Sequence, residues 1–145
     1  MNVVAIFDIG KTNKKVFLFN ENYKIVWEKS VNLVETVDED GFPCEDIELL
    51  KSWMLERLSE IKSLEGYNLK AINFSTYGAS FVYVDSEGNA LTPLYNYLKD
   101  YPESLENDFY GKYKGRENFA VKTASPVLGS LNSGMQIYRL KEKRP

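Results

Sequence analysis

The sequence predicts an α/β fold in which a three-stranded antiparallel meander is followed by a crossover helix, a further strand and a helical C-terminal third. Three observations carry this. Residues 3–7, VVAIF, form a continuous apolar run of the kind found in strands covered on both faces. Two β-branched and aromatic runs follow, separated by turns too short for a helix. After residue 45, apolar residues return at helical spacing.

After the turn DIGKTN, residues 15–19 (KVFLF) predict the second strand, and NENY turns the chain into a third over residues 24–33. That strand alternates, which puts Ile25, Trp27, Val31 and Leu33 on one face. A polar, acidic loop with Gly41 and Pro43 leads to a helix from about Asp46 to Leu64. Ile47, Leu50, Met54, Leu58 and Ile61 form its apolar stripe, and Glu45, Asp46 and Glu48 suit the positive end of its dipole. Residues 69–75 (LKAINFS) predict a strand that runs parallel to one of the meander, because a crossover helix precedes it. A hairpin built on the turn DSEGN joins residues 81–84 to a segment near 91–97. Helical patterns then cover about 103–111, 116–121 and 132–143, punctuated by Gly111, Gly115, Pro126 and Gly129. The last pattern runs almost to Pro145 with no element after it, as expected of a chain that is cut short.

The chain has 145 residues, 43% of them hydrophobic and 14% aromatic, enough for a buried core, and the length favours one domain. A formal charge of -3 gives no overall attraction for nucleic acid or an anionic membrane. The charge is uneven: residues 35–50 carry seven acids and no base, and residues 111–145 eight bases against two acids. Solvated faces of opposite sign are the simplest explanation. A single cysteine, Cys44, excludes an internal disulfide, and the lack of histidine removes the commonest metal ligand and general base. Chemistry must therefore use carboxylates, lysines, hydroxyls or backbone. Asp8 interrupts the only N-terminal apolar run, and no stretch approaches the roughly 20 apolar residues of a membrane span, so a cytoplasmic location is expected.

Gly10-Lys11-Thr12 matches the end of a P-loop, but the match fails on spacing and context. A P-loop needs glycine five residues before its lysine, where this chain has Ile6, and a helix after its threonine, where this chain has VFLF. A different phosphate site fits a strand, a tight turn and an antiparallel strand. Asp8 can hold Mg²⁺ directly or through water, Gly10 lets the backbone approach phosphate oxygens, and Thr12 and the turn amides can donate to them. A β-hairpin with a polar tip would show the same residues.

Three blocks together resemble the FGGY carbohydrate kinases of the sugar kinase, Hsp70 and actin superfamily. FDIGKTNKKVFLFNENYKIV is similar to their first phosphate motif and hairpin, INFSTYGASFVYVDSEGNALTPL to their sugar-site turn and hairpin, and TASPVLGSLNSGMQIYRL to a segment leading into a helix. Within the second block, Thr76, Tyr77, Gly78, Phe81 and Asp85 look most like the rhamnulokinase branch.

The resemblance implies an actin-like ATPase (ribonuclease H-like) domain, with residues 1–145 the N-terminal part of a first kinase domain that is incomplete and lacks its second. It implies transfer of the γ-phosphoryl group of ATP to a hydroxyl of a ketose or deoxyketose, with Mg²⁺. Asp8 would serve the metal, and Gly10, Lys11, Thr12 and Asn13 would face the phosphates. Lys15 stands where relatives carry a basic residue near the transferred group; a solvated hairpin charge is the other reading. Tyr77, Gly78 and Ala79 would line the sugar pocket, although Tyr77 is equally an aromatic closing a strand. Asp100 matches a sugar-contacting Asp within a degraded signature, YLKD. The catalytic base and adenosine site are expected beyond Pro145, so the chain alone is expected to be inactive, with exposed edges that favour self-association. Two other readings are a non-catalytic interaction module that uses its basic C-terminal third, and a superfamily kinase for an amino sugar or acetate; the TYGASFVYVD block argues against the latter.

Overall fold

The computed structural model of the chain describes residues 1–143. The elements run β1 (Asn2–Ile9), β2 (Lys14–Asn20), β3 (Ile25–Val31), β4 (Thr36–Val37), β5 (Pro43–Cys44), α1 (Ile47–Ser63), β6 (Asn68–Thr76), α2 (Glu103–Lys112), α3 (Arg116–Thr123) and α4 (Ser133–Lys143). A short 3₁₀ turn, Gly129–Leu131, precedes α4. These group into two compact units: Met1–Gly78 with Val82–Leu94, and Ala79–Phe81 with the residues from Tyr95 onward.

The first unit is built on a four-stranded sheet in the order β3-β2-β1-β6, with β4 and β5 in a separate two-stranded ribbon. β1 pairs antiparallel with β2 and parallel with β6, as the crossover helix predicted. Strict alternation along β1 buries Val3, Ala5, Phe7 and Ile9 on one face, where Val16 and Leu18 of β2 join them under α1. Trp53 and Ile61 supply the buried side of α1, and the Trp53 ring meets Phe7 edge-on at 6.0 Å. The sequence-derived stripe omitted Trp53, which lies beside Met54 because the apolar face of a helix covers a broad arc.

Three local expectations are corrected. A bulge between Leu18 and Phe19 leaves Val26 as the extra residue of β3, since Trp27 pairs with Leu18 and Ile25 with Phe19. Val26 packs against the core, and Ile25 is 49% exposed instead of sharing the face of Trp27. At the start of α1, Asp46 is the N-cap, its side chain accepting from the Leu49 amide at 2.9 Å, and Glu48 occupies the first turn. Glu45 takes no part there; it is buried. The predicted DSEGN hairpin reduces to a single bridge between Val84 and Ala90, around a turn whose Asp85 carboxylate accepts from the Glu87 and Asn89 amides.

The second unit carries α2, α3 and α4. Phe109, Tyr110, Tyr113, Phe119 and Tyr138 form its aromatic cluster, with ring centroids 5.0–5.5 Å apart. No helix among the described residues is long and apolar enough to cross a membrane.

Candidate functional site

β1 and β2 deliver the turn Gly10–Asn13 at the end of the sheet. Gly10 donates its amide to the Asn13 carbonyl at 3.0 Å, closing the turn on itself. A Cβ on residue 10 would stand 2.7 Å from that carbonyl oxygen. Glycine is therefore required by the closure of the turn.

Strand parity sorts the residues around the turn onto two faces. Asp8 pairs in register with Lys15 on one side and with Ser75 on the other, so these three side chains share the face opposite α1. Asn13 and Lys15 line a groove of about 310 Å³ with Phe17, Glu28, Lys29 and Ser30. A larger groove, about 560 Å³, lies at the other end of the same strands among Val4, Ile6, Phe19 and Tyr23, away from the turn. Thr12 is exposed at the tip, and the ammonium of Lys11 pairs with Glu35.

Lys14 has the parity of Val16 and Leu18, so its side chain goes into the core and is 2% exposed. Its ammonium meets two acceptors: a carboxylate oxygen of Glu45, itself 5% exposed, and the backbone carbonyl of Lys11 at 3.0 Å. The Tyr77 hydroxyl donates to the other Glu45 carboxylate oxygen, and the Tyr77 amide donates to the Ile9 carbonyl at 3.1 Å. The turn, the end of β1, the segment before α1 and the end of β6 are thus tied through one buried ion pair. Lys14 and Glu45 were missed from the sequence. The parity of Lys14 with two apolar neighbours was the available signal, but its partner is 31 positions away.

Of the expected sugar-turn residues, Tyr77 and Gly78 directly follow β6 within the first unit. Tyr77 is half-buried against the core and engaged by Glu45, which fits a residue closing a strand. Ala79 belongs to the second unit and holds a left-handed backbone conformation, φ 61°. Its carbonyl accepts from the buried Gln136 side chain, which also donates to the Ser130 carbonyl. Asp100, also in the second unit, is exposed and follows Lys99, whose ammonium sits 5.8 Å from the Tyr95 ring centroid.

The donor set fits a hydrated Mg²⁺ carried by phosphates. Magnesium retains several waters and takes only one or two carboxylates, and Asp8 supplies one half-buried carboxylate beside the turn amides. Among the described residues no group of three or more His, Cys, Asp or Glu gathers into a site that would cage a metal with protein ligands alone.

No protein-family model matches the chain. The chain is 29% identical over 149 residues to a rhamnulokinase of Mannheimia succiniciproducens, an alignment covering 100% of this chain and 30% of that protein. Among solved structures it is similar to a carbohydrate kinase from Novosphingobium aromaticivorans, with a TM-score of 0.78 at 26% identity over 97% of this chain and 29% of the other. The glycerol kinase of Plasmodium falciparum, solved with ADP, gives a TM-score of 0.79 at 24% identity over 100% of this chain and 29% of its own. The chain therefore spans about 30% of the length of the curated relative it matches. In fold and in sequence alike, this chain is similar to a part, somewhat under a third, of carbohydrate kinases.

Proposed function

We propose that this chain supplies the phosphate-gripping part of an ATP-dependent carbohydrate kinase. The observation that carries the reading is the closed turn Gly10–Asn13 at the end of β1, with Asp8 and Lys15 side by side on one face beneath it. Phosphoryl transfer asks mainly for positioning and neutralisation of charge, and this arrangement offers backbone donors, a cation and a carboxylate suited to hydrated Mg²⁺. Gly10, Lys11, Thr12, Asn13 and Lys15 are assigned to the phosphates and Asp8 to the metal. Tyr77, Gly78, Ala79 and Asp100 are assigned to the sugar.

A ketose or deoxyketose of the rhamnulose kind is the acceptor most in keeping with the 29% identity to a rhamnulokinase. The catalytic base and the adenosine site are assigned to residues outside this chain, because the similar kinases are about three times its length. A cytoplasmic setting and small-molecule partners follow from the same reading. Phe74 of β6 is 58% exposed, and β6 is a terminal strand of its sheet, which supports self-association of the isolated chain.

The test is an ATP-dependent phosphorylation assay over a panel of ketoses, run on the whole kinase and on the 145-residue chain alone. Sugar phosphate is expected from the whole kinase only. Turnover by the short chain would overturn the division of labour, and lack of turnover on every sugar by the whole protein would overturn the kinase reading.

A further inference from the structure

We propose that Lys14 is a positioning residue for phosphate binding: its buried ammonium, held by Glu45, pulls the Lys11 carbonyl inward and so turns the Thr12 amide outward as an anion donor. The proposal rests on the kinase reading of the turn and goes beyond it by naming the device that aims it.

The argument is geometric. The described peptide bonds are all trans, and in a trans peptide the carbonyl of one residue and the N–H of the next point in opposite directions. The Lys14 ammonium fixes the Lys11 carbonyl at 3.0 Å from the core side of the turn. The Thr12 N–H, on the same peptide plane, must then face away from the core. Thr12 is exposed, and its amide donates to no group among the described residues. A lysine on the buried face of a strand is costly unless it is fully paired, and here two acceptors pair it while Tyr77 satisfies the second oxygen of Glu45. The ligand class is a polyphosphate chain, whose oxygens match an outward amide flanked by the Thr12 hydroxyl.

The experiment uses the 145-residue chain with inorganic tripolyphosphate and Mg²⁺, observed by nuclear magnetic resonance. Two resonances matter: the Lys11 carbonyl carbon, which reports the internal hydrogen bond, and the Thr12 amide proton, which reports the ligand. Lys14→Met alone strands a buried carboxylate and can unfold the chain, so the informative variant is Lys14→Met combined with Glu45→Gln; Lys14→Arg tests rescue. In the native chain the Thr12 amide is expected to shift and saturate. In the double variant, with sheet dispersion retained, the Lys11 carbonyl should move and tripolyphosphate should bind roughly tenfold more weakly, the range of one hydrogen bond to a charged group. Lys14→Arg should recover most of the affinity. Affinity of the folded double variant within about twofold of native would overturn the positioning role while leaving the turn a phosphate site. A silent Thr12 amide in the native chain, with the Lys11 carbonyl still responsive to the double variant, would overturn the phosphate reading of the turn and the donor assigned here.

Discussion

The Lys14 ammonium and the Glu45 carboxylate form an ion pair inside the first unit, with exposures of 2% and 5%. Removing one partner of a buried pair leaves an uncompensated charge, whereas removing both leaves an apolar or neutral cavity. Lys14→Met is expected to destabilise the chain by about 3–5 kcal/mol. Adding Glu45→Gln should recover a good part of that loss, so the two substitutions are strongly non-additive. Urea unfolding of the two single variants and the double variant gives the coupling directly. Additive losses would show that the pair does not act as a unit.

Gly10 and Gly78 predict opposite outcomes for the same substitution. A Cβ at Gly10 meets backbone oxygen at 2.7 Å, and nothing lies within 4 Å of one at Gly78. Gly10→Ala should force the turn open and cost about 1–3 kcal/mol, the range of overpacking against a fixed neighbour. Gly78→Ala should change stability by no more than about 0.5 kcal/mol. Thermal midpoints of the two variants distinguish them, and equal effects would contradict the closed turn.

The core under α1 makes a similar comparison available. Trp53 is 7% exposed and meets Phe7 edge-on, whereas Leu55, two positions away, is 58% exposed. Trp53→Ala should cost about 3–5 kcal/mol through lost burial and a residual cavity. Leu55→Ala should stay within about 0.5 kcal/mol of the native value. Chemical denaturation followed by circular dichroism measures both without relying on Trp53 fluorescence.

In the second unit the Tyr101 hydroxyl donates to the Met135 carbonyl at 3.0 Å. Burial, the largest cause, together with the nearby Tyr138, pushes its pKa from 10.0 up to about 12. The folded state therefore holds this proton at pH values where the unfolded chain has released it. The stabilisation is complete below pH 10 and falls progressively as pH rises toward about 12. Tyr101→Phe should flatten that alkaline loss while sacrificing one hydrogen bond, about 1 kcal/mol at neutral pH. Alkaline unfolding curves of native and variant chains, with tyrosinate absorbance alongside, check the sign. An unchanged alkaline slope in Tyr101→Phe would assign the loss to other groups.

Most elements could be read from local pattern because each carries its own periodicity. VVAIF, KVFLF and LKAINFS became β1, β2 and β6, and a helix expected from about Asp46 to Leu64 formed over Ile47–Ser63. The pattern failed where one residue interrupts the count. The bulge at Val26 moved Ile25 outward, and no propensity marks a bulge in a run of β-branched and aromatic residues. The candidate site divides along the same line. Asp8, Gly10 and Lys15 were placed by a tight turn between two strands, whereas the environment of Tyr77 depended on Glu45, 32 positions earlier.

The sequence by itself determined the three-stranded meander, the crossover helix, a further strand parallel to one of the meander and the turn that follows Asp8. Hydrophobic spacing and turn chemistry are local and act before any distant contact forms. Only the tertiary structure decided which of two adjacent lysines faces the groove and which is buried. It also decided that Glu45 leaves the helix start to pair with Lys14, and that the glycine of the turn serves first to let the backbone close. Pairing of buried charges is a long-range outcome: a carboxylate takes whichever cation the packed strands bring to it once water is excluded.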